Sequence, residues 1–153
     1  ERAAEMGHVP AQLHLAGLYQ TGASGVPIDA VASRRWARRA AESGDAKGMH
    51  AYGMYLFDGV GGPRNRAEAM TWLLKAANLG LIDSQYNVAR LYENGDEGIP
   101  VNPADALRWY LIAARSGDPD AQDAVTRLTP QTSAAAQRTA RAAAEAFTVE
   151  PLA

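Results

Sequence analysis

A glycine returns along this chain at intervals of 37, 36 and 37 residues, at Gly7, Gly44, Gly80 and Gly117. An alanine pair precedes each at the same offset: Ala3-Ala4, Ala40-Ala41, Ala76-Ala77 and Ala113-Ala114. Trp36, Trp72 and Trp109 each stand eight residues before the last three glycines. A period of this length belongs to stacked helical hairpins rather than to a single sheet-containing core. The fold class expected is therefore all-α, an α-solenoid of paired helices.

Local signals divide each period into two helices. Leu15, Ala16, Leu18 and Tyr19 recur at spacings that place them on one face of a helix from Val9 to Gly22. After the loop ASGVPI, Asp29 supplies an N-cap oxygen for a second helix through Ser33, Trp36 and Ala40 to Gly44. In the second copy Gly53 and Leu56 lie on the first helix, Gly59 ends it, and Asn65 with Glu68 reads as a capping box. The third carries Val88, Ala89, Leu91 and Tyr92, then Gly95, Asn102 as cap and Pro103 at the first helical position. Ala16, Gly53 and Ala89 share one register position, as do the alanine pairs, so two helix backbones can approach closely there. The tryptophans with Tyr19, Leu56 and Tyr92 are expected to fill the wedge between hairpins as core, each contributing a few kcal/mol.

Beyond Gly117, Asp118 and Pro119 open a further first helix that Pro130 ends without a closing glycine. Ser133 then caps the alanine-rich AAAQRTARAAAEAF. Ala136, Ala140, Ala143 and Phe147 are expected against the last hairpin, with Gln137, Arg138, Arg141 and Glu145 in water. The boundaries read from the sequence are a repeat array over 1–129, with repeats at about 8–44, 45–80 and 81–117 and a partial one at 118–129. The tail of another repeat precedes them, a capping helix spans 130–147 and a tail 148–153. Because ERAAEMG matches only the end of a repeat, the parent protein is expected to continue upstream.

With 153 residues, 47% hydrophobic and 21% charged, the chain is too apolar for disorder and is expected to form one folded domain. A formal charge of −2 argues against nucleic acid as a partner, and no apolar run approaches the roughly 18 residues of a membrane span. No membrane contact is expected within these residues. The absence of cysteine excludes disulfides and thiolate chemistry and leaves the compartment open.

The ordered set in LHLAGLYQTG…VPIDAVASRRWARRAAESG and its two siblings resembles Sel1-like repeats, relatives of the tetratricopeptide repeat, over residues 1–129. The main departures are Leu56 in place of tyrosine and Ser33 in place of a usual alanine. The resemblance implies a right-handed superhelix of helix-turn-helix repeats that serves as a protein-protein adaptor. More narrowly, DSQYNVARLYENG, ALRWYLIAARSGDPDAQ and the ending AEAFTVEPLA resemble the C-terminal part of alphaproteobacterial polar localization factors of the PodJ type. That likeness implies a periplasmic array at the end of a membrane-anchored cell-polarity scaffold; a cytoplasmic location is the alternative.

Chemistry-bearing patterns are scarce. His8, His14 and His50 form no metal-ligand spacing, GVGGPRN lacks the Lys-Ser/Thr of a phosphate loop, and no serine sits in a GxSxG elbow. No catalytic residue, cofactor or metal is assigned, and the chain is not expected to be an enzyme. The cluster RRWARR, Arg34 to Arg39, has two readings: a solvated outer face, or a site for phosphate or an acidic partner.

Residues one or two steps round from the buried face of each first helix are expected to line a concave partner-binding groove. They are Leu13, Gly17 and Gln20; His50, Met54 and Phe57; Tyr86, Arg90 and Glu93; and Asp123 and Arg127. Met54, Phe57 and Tyr86 are the expected anchors, with the competing reading that these residues merely pack inside the array. The leading expectation is a protein partner in this groove. The alternative is a peptidoglycan- or carbohydrate-binding envelope module, with cell-wall glycan stacked on aromatic rings.

Overall fold

The computed structural model describes residues 2–149, which form α1 (Arg2–Glu5), α2 (Val9–Thr21), α3 (Ala30–Glu42), α4 (Ala46–Asp58), α5 (Arg66–Asn78), α6 (Ile82–Asn94), α7 (Pro103–Arg115), α8 (Pro119–Leu128) and α9 (Ala134–Ala146). Among these residues β-structure amounts to one bridge between Asp96 and Ile99. The all-α class read from the period is the observed one.

The same devices close every hairpin. Asp29, Asn65 and Asn102 each accept a side-chain bond from the amide three residues on, at 3.0, 3.0 and 3.1 Å. Each cap residue also donates its own amide back to the preceding helix, to Tyr19 O at 2.8 Å, Leu56 O at 2.8 Å and Tyr92 O at 2.7 Å. That second bond corrects the capping box expected at Asn65: its amide is already committed to Leu56 O rather than left for Glu68. One residue thus starts the second helix and fastens it to the first. At the far end Gly44, Gly80 and Gly117 hold φ of +88°, +94° and +100°, a region that a side chain disfavours, which accounts for their fixed recurrence.

The chain was expected to form one folded domain; it divides instead into two compact units, one through Ala76 and one from Ala77, the division falling inside α5. In a repeat protein each hairpin packs chiefly on its neighbours, so no single centre unites the whole. The first unit is built on Ala16, Trp36, Ala37, Ala41, Tyr52, Tyr55, Leu56 and Ala69, with Leu15, Tyr19 and Trp72 packed partly against them. Close approach is built in where alanine or glycine was expected: a Cβ at Gly53 would lie 3.1 Å from Leu73 Cγ, and one at Gly48 only 2.6 Å from the backbone of Ala40.

The second unit centres on α7, whose Trp109 and Tyr110 are each only 1% exposed. Helix α9 packs against it as a cap. Phe147 meets Trp109 edge-on at 5.7 Å, and Arg115 Nη1 donates to Ala144 O at 2.7 Å. Two details differ from the sequence reading. Ala140 and Ala144 are the buried alanines while Ala143 is only half-buried, and Gln137, expected in water, donates Nε2 to Thr129 O and Thr132 O at 2.8 Å each. The turn before α9 exposes carbonyls that an amide side chain is long enough to satisfy. The end of the tail, 150–153, lies outside the described residues.

Candidate protein-binding surface

In the first unit the candidate residues sit on α2 and α4. Leu13 is half-buried, while Gly17 is exposed with open space where a side chain would be. Gln20 is exposed, and its Oε1 accepts from the Tyr55 hydroxyl at 2.9 Å, joining α2 to α4. Tyr55 Oη in turn lies 2.8 Å from Ser33 Oγ, which donates to Ala16 O at 2.6 Å. His50, Met54 and Phe57 are half-buried on α4. The inner side of Phe57 packs on the core, and the Arg66 guanidinium covers its ring at 4.4 Å. Such a ring is part foundation and part surface: its free edge is available, but a cation must shift for a partner to reach the covered face.

In the second unit Tyr86, Glu93 and Arg127 come together around a residue the sequence reading did not single out. Tyr110 donates its hydroxyl to Glu93 Oε1 at 2.8 Å and meets Tyr86 edge-on at 5.6 Å. Glu93 is also bound by both terminal nitrogens of Arg127, Nη2 to Oε1 at 3.0 Å and Nη1 to Oε2. The Arg127 fork holds the Glu93 carboxyl below its ordinary value of 4.5, and burial with the Glu93 bond pushes the Tyr110 phenol up. Glu93 and Arg127, both expected in the groove, are paired with each other, while Arg90 and Asp123 remain exposed. The missed residues share a signal. Tyr110 stands where the other copies have Ala37 and Leu73, and Tyr55 where they have Leu18 and Leu91. Breaks in the repeat pattern mark the polar links.

The tryptophans offer little ring surface. Trp36 and Trp109 are 2% and 1% exposed, and cations lie over the rings of all three: Arg39 at 4.7 Å from Trp36, Lys75 at 4.5 Å from Trp72 and Arg108 at 4.8 Å from Trp109. Among the described residues no three His, Asp or Glu side chains could hold a metal ion, and no helix is long and apolar enough to cross a membrane.

Helix pairs latched through a cap residue and repeated at 36 or 37 residues define a helical-repeat protein. The Sel1 repeat model matches residues 9–45, 46–81 and 82–118, and the chain belongs to the Sel1 repeat family. Repeats of this family generally mediate protein-protein interaction and are generally non-enzymatic. Among solved structures, the Sel1 repeat protein from Oxalobacter formigenes is 32% identical with a TM-score of 0.74, over 80% of this chain and 50% of that one. A protective antigen of uropathogenic Escherichia coli strains with an SLR fold is also 32% identical, with a TM-score of 0.78 over 94% of this chain and 33% of the other. Curated relatives are fungal. The chitin synthase regulator SKT5 of Saccharomyces cerevisiae is 34% identical over 61% of this chain, and chitin synthase regulatory factor 3 of Schizosaccharomyces pombe 36% identical over 52%. The matches span only 14% and 9% of those proteins' own lengths.

Proposed function

We propose that this chain is the protein-binding repeat domain of a bacterial cell-polarity scaffold, working in the periplasm, with partner contacts within each unit: on Leu13, Gly17, Gln20, Met54 and Phe57 in the first and on Tyr86 in the second. The PodJ-type likeness of the third repeat and the tail supports the setting. The observation that carries the binding role is the surface of α4, where Met54 and Phe57 are half-buried side by side with Gln20 and Gly17 exposed on α2. An apolar pair beside an open glycine and an exposed amide is the makeup of an anchor with room around it. The fungal relatives, named as regulators of another protein, fit the same adaptor role. Glycan binding is less favoured, because sugar stacking needs open aromatic faces and the tryptophans are buried or covered by cations.

The test compares wild type with Phe57→Ala and Tyr86→Ala in capture from an envelope extract and in sedimentation with purified peptidoglycan, alongside thermal unfolding. Partner capture lost with an almost unchanged midpoint supports the reading. Large destabilisation would make the two rings core alone, and sedimentation with bare wall material in place of protein capture would favour the glycan alternative.

A further inference from the structure

The arginine cluster on α3 forms one side of an open surface pocket in the first unit. A pocket of about 330 Å³ is lined by Val31, Arg34, Arg35 and Arg38 from α3, Tyr52 from α4, and Gly61, Gly62 and Pro63 from the following turn. Its wall is fixed. Arg34 donates from Nη1 and Nη2 to Pro63 O at 3.1 and 3.0 Å, which holds the turn against α3. Gly61 is needed for that approach, since a Cβ there would lie 2.1 Å from Ala30 O; one at Gly62 would lie 2.5 Å from Arg34 Nη1 and displace that guanidinium.

The lining contains three guanidinium groups and no carboxylate, in a chain of net charge −2. Arg34 is spent on the wall; Arg35 and Arg38 are exposed. The ion pair Arg38 makes with Glu42, at 3.4 Å, leaves both side chains more than half exposed, at 61% and 54%, and such a helix-surface pair is weak, so it exchanges readily. Neither other repeat carries this arrangement: the positions of Arg34 and Arg38 are held by Met70 and Leu74, and by Leu107 and Leu111. Beside the charges lie apolar surfaces, Pro63 and the 65%-exposed Val31. A phosphate ion or a nucleic-acid backbone has no use for them.

We propose that this pocket is a docking site for a short acidic segment of a protein partner, separate from the α2–α4 row. Carboxylates pair with Arg35 and Arg38, and an adjoining apolar side chain rests on Val31 and Pro63. The inference rests on the reading that these repeats bind protein.

The experiment titrates the full chain with a fluorescein-labelled Leu-Glu-Asp-Leu-Glu-Asp peptide and follows anisotropy, with the Gln/Asn counterpart as the neutral control. Arg35→Glu/Arg38→Glu should weaken binding about tenfold or more, whereas Arg138→Glu/Arg141→Glu, the same charge change on α9, leaves it intact. Arg35→Gln/Arg38→Gln serves if the reversal disturbs folding. No binding by wild type up to about 1 mM peptide overturns the proposal. So does an equal loss in the α9 variant, or full displacement by inorganic phosphate or a DNA oligonucleotide at equal charge. A natural partner that requires Phe57 but is indifferent to Arg35 and Arg38 overturns this site alone and leaves the α2–α4 row standing; dependence on the two arginines with indifference to Phe57 does the reverse.

Discussion

Ser33 stands at the position that Ala69 and Ala106 hold in the other repeats, and it is fully buried. Burying a hydroxyl without a partner costs on the order of 1–3 kcal/mol, so the change from alanine is tolerable only because Ala16 O accepts from it and Tyr55 Oη lies beside it. Two departures from the repeat pattern therefore form one unit that ties α2, α3 and α4 together. Ser33→Ala and Tyr55→Phe should each cost about 1 kcal/mol in urea unfolding, and the double variant clearly less than their sum. Strict additivity would mean the two hydroxyls do not interact. The tryptophans are not equivalent either. Trp109 is 1% exposed, whereas Trp72 is only half-buried, with Tyr52 edge-on at 5.5 Å. Trp109→Ala should cost about 3–5 kcal/mol and Trp72→Ala distinctly less, contrary to what a central place in the period suggests. Equal losses in denaturant midpoint would refute that ordering.

Between elements, α6, α7 and α8 are joined by Glu93 with Tyr110 and Arg127. The folded-state carboxyl of Glu93 is depressed, so its contribution is fully present above the ordinary value of 4.5 and is lost as pH falls through the depressed one. Wild type should exceed Glu93→Gln in stability at pH 7 and lose that advantage toward pH 3, measured by urea unfolding at both. A pH-independent difference would show that Arg127 does not discriminate the charged form. Helix positions and caps were legible because each signal occurs three times: Asp29, Asn65 and Asn102 are recognisable together where one alone is weak. The Glu93 link was not, since it needs α6 and α8 brought to either side of one α7 tyrosine, and Tyr110 has no counterpart in the other copies. The partner row was legible only as a face. Which of its members stay open depended on neighbours such as Arg66 that the period does not mark.

At the scale of the molecule, the second unit relies on its cap. Removing residues from 130 onward strips Phe147 from Trp109 and the Ala144 carbonyl from Arg115. Tryptophan fluorescence should shift to the red and the midpoint fall by several degrees; an unchanged spectrum would mean α9 is dispensable. A feature the period did not announce works on the same scale. Gln12 and Gln85 are each 1% exposed and donate Nε2 to Ala4 O at 3.0 Å and Ala77 O at 3.2 Å, each reaching the closing turn of the helix before its own. At these two places the fastening is written in the later helix of the pair, while the second repeat carries Met49 at that position. A gene segment copied in phase carries that bond with it, while Arg34 and Ser33 add links that reach forward from the first repeat. A copy cut one helix out of phase would leave such a glutamine with no helix end to hold.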